Sequence, residues 1–252
     1  RDLAYHRWKW TQADRLLNVL GEDHRLQAKQ VGLTLNELGD DAPDVVFYSF
    51  IKLPEGKMST RRGNVVFMDD LLEEAKAQAA NVVRDLRPEY DEAQIDAISE
   101  AVATSAVRFN IIKVSPEKGF TFTWEEALSF EGGSAPFAMY AHTRACSIAR
   151  NLEAAEPATE GPTFEGEMPD GLVDLLRVLA VHPDVLRNAV QQHKPHLFAL
   201  HMLDLANAYN GFYRDCPVIV DGRAHALHAA ISERAREVLH AGLTGLGLVP
   251  LE

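Results

Sequence analysis

Cysteine is scarce in this 252-residue sequence: it has two, Cys146 and Cys216, with no CxxC pair and no Cys/His ligand spacing around either. That excludes a disulfide framework and a cysteine-based zinc site, and leaves two core or surface thiols. No window approaches 18 consecutive apolar residues, so no membrane-spanning helix is predicted. The opening Arg1-Asp2-Leu3-Ala4-Tyr5-His6 lacks the charged, apolar and small-residue order of a secretion signal, which favours the cytoplasm. Basic residues are outnumbered, 25 Lys and Arg against 37 Asp and Glu, for a formal net charge of -12. A partner bound through overall positive charge is therefore not expected, although a globally acidic chain can still present a local basic surface.

What is present is a soluble globular composition, 46% apolar and 25% charged, enough to bury a core in one or two domains. The first residue is Arg rather than Met, which suggests a fragment. Basic residues gather at Lys57, Arg61 and Arg62, while acids dominate residues 73–100 and 153–174. Apolar residues at Leu3, Trp8, Trp10, Leu16, Leu17 and Leu20 predict a helix over 2–20, ended by Gly21. A second helix is predicted over 25–38, stopped by Gly39-Asp40-Asp41-Ala42-Pro43. The β-branched and aromatic run over 45–51 reads as a buried strand. Helix, helix and strand ending in a functional loop suit the latter part of an α/β sheet, whose ligands sit beyond the strand ends.

The loop after that strand is the most informative segment: Leu53-Pro54-Glu55-Gly56-Lys57-Met58-Ser59-Thr60-Arg61-Arg62-Gly63-Asn64. Pro and Gly shape it, Lys and Arg supply cations, Ser and Thr supply hydroxyls, and Gly63 permits close backbone approach. Such a set suits a polyphosphate. A solvated basic hairpin tip is the alternative, and the P-loop spacing GxxxxGK[ST] is absent.

Lys57-Met58-Ser59-Thr60-Arg61, followed by Arg62-Gly63-Asn64-Val65-Val66 and Asp69-Asp70-Leu71-Leu72, resembles the KMSKS-type motif of class I aminoacyl-tRNA synthetases, in the form seen in arginyl-tRNA synthetases. Three more segments resemble that family in the same order. Residues 1–6 with Val19-Leu20-Gly21-Glu22-Asp23-His24 resemble its arginine pocket. Residues 129–137, running into Tyr140-Ala141-His142-Thr143-Arg144, resemble the entry to its anticodon-binding domain. Residues 204–213 with Cys216-Pro217-Val218 resemble that domain's core helix.

The resemblance implies a mostly α chain: the second part of a Rossmann-like class I catalytic domain over 1–123, then an all-α anticodon-binding bundle of the DALR type over 124–252. It implies ligation of L-arginine to tRNA(Arg) with ATP and Mg2+, through an arginyl-adenylate, by a cytoplasmic monomer. Phosphate charge grows in that transition state, so positioned cations and donors should carry the catalysis. The implied catalytic residues are Lys57, Ser59 and Arg61, and the implied ATP-binding residues are Phe50, Ile51, Lys57, Met58 and Ser59. Phe50 and Ile51 serve equally as strand core. Asp2 is implied to take the arginine guanidinium in a planar pairing. His24 stands where some relatives have glutamine, with a capping or core role as its alternative. No protein-held metal is implied.

The HxGH-type motif of the family, and with it the first half of the nucleotide-binding fold, is missing from the sequence, so the chain is expected to lack aminoacylation activity on its own. Beyond residue 69 the pattern is helical: 69–86, 91–112, 137–152, 172–180, 183–191, 196–213 and 224–246, with 151–168 an exposed loop. Splayed anticodon bases are held by aromatic faces and hydrogen bonds, and Phe137, Tyr140 and Tyr209 match the family's anticodon contacts. His142 and Arg144 are candidates for the tRNA backbone, with packing as their alternative. Competing functions are another class I synthetase and a stand-alone tRNA- or protein-binding helical module.

Overall fold

The computed structural model describes residues 1–52, 67–159, 161–163 and 166–252. They fall into two compact units, residues 1–52 with 114–122, and residues 67–113 with 123–252.

In the first unit, α1 spans Asp2–Trp10, β1 Leu17–Gly21, α2 Arg25–Glu37 and β2 Asp44–Tyr48, with one 3-10 turn at Glu22–His24. β1 and β2 pair in parallel, Leu17 opposite Asp44 and Gly21 opposite Tyr48. α2 is the crossover between them, as parallel strands require. The helix expected over 2–20 is instead a helix and a strand. Leu16, Leu17 and Leu20 satisfy a helical spacing, yet on β1 the same segment alternates, with Asn18 and Leu20 turned inward and Val19 outward. β2 is shorter than the 45–51 expected, but the chain beyond it stays anchored. Ser49 N–H donates to the Pro116 carbonyl at 2.7 Å and Lys52 N–H to that of Phe120 at 2.9 Å. A Cβ on Gly119 would lie 3.1 Å from the Phe50 carbonyl oxygen, a tight contact that glycine avoids as the 114–122 segment runs past.

In the second unit, α3 (Met68–Leu86) and α4 (Glu92–Ile112) form a helical hairpin. Asp91 starts α4 with a capping box: its carboxylate accepts from Gln94 N–H at 2.8 Å while the Gln94 side chain accepts from Asp91 N–H at 3.0 Å. The short α5 (Trp124–Ala127) leads to α6 (Ala135–Ala154), α7 (Asp170–Gln191), α8 (Pro195–Asp215) and α9 (Ala226–Gly245). Between α8 and α9 sits a small hairpin of β3 (Ile219–Val220) and β4 (Arg223–Ala224) that the hydrophobic pattern did not predict. Ala135, Ala138, Ala141 and Ala145 give α6 a buried small-residue face, while Leu172, Leu175, Leu205, Phe212, Leu239 and Leu243 fill the core.

The break expected between 180 and 183 does not occur. Pro183 lies inside one continuous α7. Proline removes an N–H and disfavours the helical conformation before it, but α7 packs along α8 throughout. Directly before the proline, His182 Nδ1 is 3.1 Å from His201 Nε2 on α8.

Candidate functional site

In the first unit, α1, β1 and α2 enclose a cleft of about 280 Å³ whose lining includes Asp2, Tyr5, His6, Lys9, Asn18 and His24. Both residues expected to hold the arginine therefore meet in one cavity. Asp2 sits in the first turn of α1, and its carboxylate makes no ion pair among the described residues, whereas Asp40 pairs with Arg7 and Asp44 with Arg15. His24 is exposed, its Nδ1 3.2 Å from Gln27 Oε1 and its Nε2 3.8 Å from Asp23 Oδ2. Across the cleft, Lys9 Nζ donates to Asn18 Oδ1 at 3.0 Å, Asn18 Nδ2 lies 3.0 Å from His6 Nε2, and His6 Nδ1 lies 2.9 Å from the Asp2 carbonyl oxygen. Nothing in the hydrophobic pattern singled out His6, Lys9 or Asn18. The strand that brings Asn18 to the helix was itself hidden.

Phe50 is 55% exposed and Ile51 is half-buried, beside the 114–122 segment. Lys57, Met58, Ser59 and Arg61 lie outside the described residues. Among the described residues no group of three or more His, Cys, Asp or Glu side chains is placed to hold a metal ion, and Cys146 and Cys216 are buried free thiols. No helix among them is long and apolar enough to cross a membrane.

On the second unit, α6 and α8 present a stack. The Arg144 guanidinium lies 4.8 Å from the Tyr140 ring centroid and 4.5 Å from that of Tyr213. Its Nη1 donates to Asn210 Oδ1 at 2.6 Å and its Nη2 lies 3.4 Å from the Tyr140 hydroxyl. Tyr140 and Tyr213 are 45% and 46% exposed, so part of each side chain is open to solvent. Phe137 is half-buried in the first turn of α6, its N–H donating to Ser134 Oγ. Tyr209, expected to meet the anticodon, is instead fully buried. Its hydroxyl is 2.9 Å from Ser232 Oγ, and burial pushes its pKa to about 12. It has no face to offer a base. His142 is likewise buried, its Nδ1 2.8 Å from the Leu251 carbonyl oxygen, which supports packing over contact with a backbone phosphate. Tyr213, an exposed aromatic beside Arg144, was not among the residues expected. Its signal is an Asn-x-x-Tyr spacing on one helix facing Tyr-x-x-x-Arg on another, legible only once α6 and α8 are known to be neighbours.

The profile of the class I (R) tRNA synthetase catalytic domain matches residues 2–124, and that of the DALR anticodon binding domain matches residues 138–252. These matches define a class I tRNA synthetase chain, a catalytic portion followed by an anticodon-binding domain. The chain is 43% identical over 254 residues to an arginine–tRNA ligase of Methanocella arvoryzae, with 100% of this chain and 44% of that protein covered. It is 42% identical over 258 residues to one of Methanosarcina mazei, covering 45% of it. The solved arginyl-tRNA synthetase of Thermus thermophilus superposes with a TM-score of 0.82 at 27% identity, over 95% of this chain and 41% of that one. The Plasmodium falciparum enzyme shares the fold, with a TM-score of 0.79 at 18% identity over 100% of this chain and 44% of that one. The chain thus belongs to the arginyl-tRNA synthetase family and corresponds to its C-terminal part, spanning less than half the length of these relatives.

Proposed function

We propose that this chain serves the ligation of L-arginine to tRNA(Arg) in the cytoplasm, as a monomeric contributor of part of the arginine pocket, the phosphate-handling loop and the anticodon-reading domain. The observation that carries the tRNA half is the exposed Tyr140–Arg144–Tyr213 stack on the anticodon domain. Aromatic rings and guanidinium planes are the surfaces on which splayed bases stack, and the two part-exposed rings supply them without general positive charge. Asn210 fixes the guanidinium, so it is presented at one orientation. Phe137 adds an apolar edge at the start of the same helix.

In the cleft, the unpaired Asp2 carboxylate offers a guanidinium the two acceptor oxygens of a bidentate pair, and His24 closes the other side. Lys57 neutralises the charge that develops on pyrophosphate as the arginine carboxylate attacks the α-phosphate, with Ser59 and the Met58 backbone shaping the ATP site and Arg61 adding field. Phe50 and Ile51 are the residues this reading assigns to the adenine. Mg2+ arrives on the ATP phosphates, the usual arrangement for this ion, rather than in a protein cage.

Binding of unmodified tRNA(Arg) and of an anticodon-substituted version, at low and moderate salt, tests the reading. Tighter binding of the unaltered anticodon at both salts is expected. Equal binding of the two at both salts would remove the anticodon assignment.

A further inference from the structure

α1 carries Asp2 in its first turn, yet it has little to hold that turn still. Its N-cap, Arg1, makes no side-chain capping bond, and no residue of the helix is buried. A helix start in that condition frays. The helix is tied elsewhere, by Arg7 to Asp40 at 2.6 Å and by Trp10 Nε1 to the Asp41 carbonyl at 2.8 Å, but both ties lie in its second half. What reaches the first turn is the polar chain across the cleft, from Lys9 through Asn18 and His6 to the Asp2 carbonyl.

The protons of that chain can be assigned from chemistry alone. A lysine ammonium has three donors and no acceptor, so the Asn18 atom facing Lys9 must be its oxygen. The amide nitrogen then faces His6, and being a donor it needs His6 Nε2 as an acceptor. That arrangement places the ring proton on His6 Nδ1, which donates to the Asp2 carbonyl oxygen. Every bond points one way, from the ammonium to the backbone of Asp2. Lys9 also rests 4.7 Å from the Tyr5 ring centroid and has no ion pair among the described residues, so its charge is committed to this chain.

We propose that Lys9, Asn18 and His6 are positioning residues for the arginine carried by Asp2: the relay pins the backbone of Asp2, and with it the direction of its carboxylate. The proposal rests on the arginine-pocket reading of the cleft. A bidentate pair with a guanidinium tolerates little angular error, which is why the backbone under the carboxylate matters.

Calorimetric titration of this chain with L-arginine tests the proposal, using wild type, His6→Ala, His6→Gln and Asn18→Ala. Nitrogen NMR of the His6 ring reads its tautomer in parallel. The expected result is an Nδ1-protonated ring and arginine binding weakened about tenfold in His6→Ala and Asn18→Ala, the size of one lost oriented hydrogen bond. In His6→Gln, whose amide can accept and donate in the same sense, binding should be largely restored. Arginine binding that ignores the His6 and Asn18 substitutions, or an Nε2-protonated His6, would overturn the relay and leave the pocket standing. Because this chain carries only part of the pocket, failure of wild type to bind arginine would overturn the reading that this cleft alone holds the amino acid, and the ring tautomer would then decide the relay.

Discussion

Two tyrosines four residues apart on α8 have opposite surroundings, and opposite responses to substitution are expected. Tyr209 is sealed in the core against Ser232, whereas Tyr213 lies on the surface with Arg144 on one face. Base stacking on an aromatic ring contributes about 1–3 kcal/mol per base. Tyr213→Ala and Tyr140→Ala are therefore each expected to weaken tRNA(Arg) binding by about tenfold, measured by filter binding, with the folded helical content unchanged. Tyr209→Phe should do the reverse. It leaves Ser232 Oγ buried without its partner, a loss of about 1–2 kcal/mol in urea denaturation, while tRNA affinity in the native state is unaltered. A fall in affinity of Tyr209→Phe with unchanged stability would return that residue to the anticodon surface.

At the scale of elements, α7 and α8 illustrate how close packing overrides local propensity. Gly171 faces Gly211: a Cβ at position 171 would stand 2.7 Å from the Gly211 carbonyl oxygen and 2.8 Å from its carbon, both backbone atoms that cannot rotate aside. Alanine gains about 1 kcal/mol in helix propensity over glycine, but overpacking of this kind costs about 1–3 kcal/mol. Gly171→Ala is accordingly expected to lower the urea midpoint, whereas Gly161→Ala, which meets nothing within 4 Å, should not.

The same elements show what sequence can and cannot carry. α2, α3, α4 and α8 were legible to within a few residues, because amphipathic runs ended at Gly39, at Asp91 with its capping box and at Pro195. β1 was not, since five residues with Leu at 17 and 20 fit both periods and only the parallel partner β2 decides between them. The β3–β4 hairpin escaped for a different reason. Two residues per strand carry no period, and its signal is the turn Asp221-Gly222, both at positive φ. Of the candidate site, Asp2 and His24 were found through motif resemblance, but the Lys9–Asn18–His6 relay and the Arg144 stack exist only between elements. No linear spacing encodes them.

For the molecule as a whole, acid is the condition that separates its parts. Five histidines of the helical unit, His142, His182, His196, His201 and His228, are held below the ordinary value of 6.5, in each case chiefly because burial disfavours the charged ring. Above 6.5 the folded and unfolded chains both carry these rings neutral, so they leave stability unchanged. As pH falls through 6.5 the unfolded chain takes up protons that the folded unit refuses, and the folded state loses stability until the depressed native values are reached. Three carboxylates, Glu92, Asp215 and Glu233, act lower down. Their hydrogen bonds to Arg84, Arg214 and Arg236 hold them below 4.5, 3.8 and 4.5, so their contributions persist until pH drops under that range. Two separate losses on acidification are therefore expected, the first owed to histidine. Urea midpoints of the helical signal should be flat from about pH 8 to about pH 7 and fall between about pH 6.5 and about pH 5. The double substitution His182→Gln, His201→Gln removes a pair whose ring nitrogens lie 3.1 Å apart across α7 and α8 and cannot both be protonated without setting two donors face to face. It should flatten part of that first slope even if it lowers stability at neutral pH. A slope unchanged by the double substitution would assign the acid loss to His142, His196 and His228.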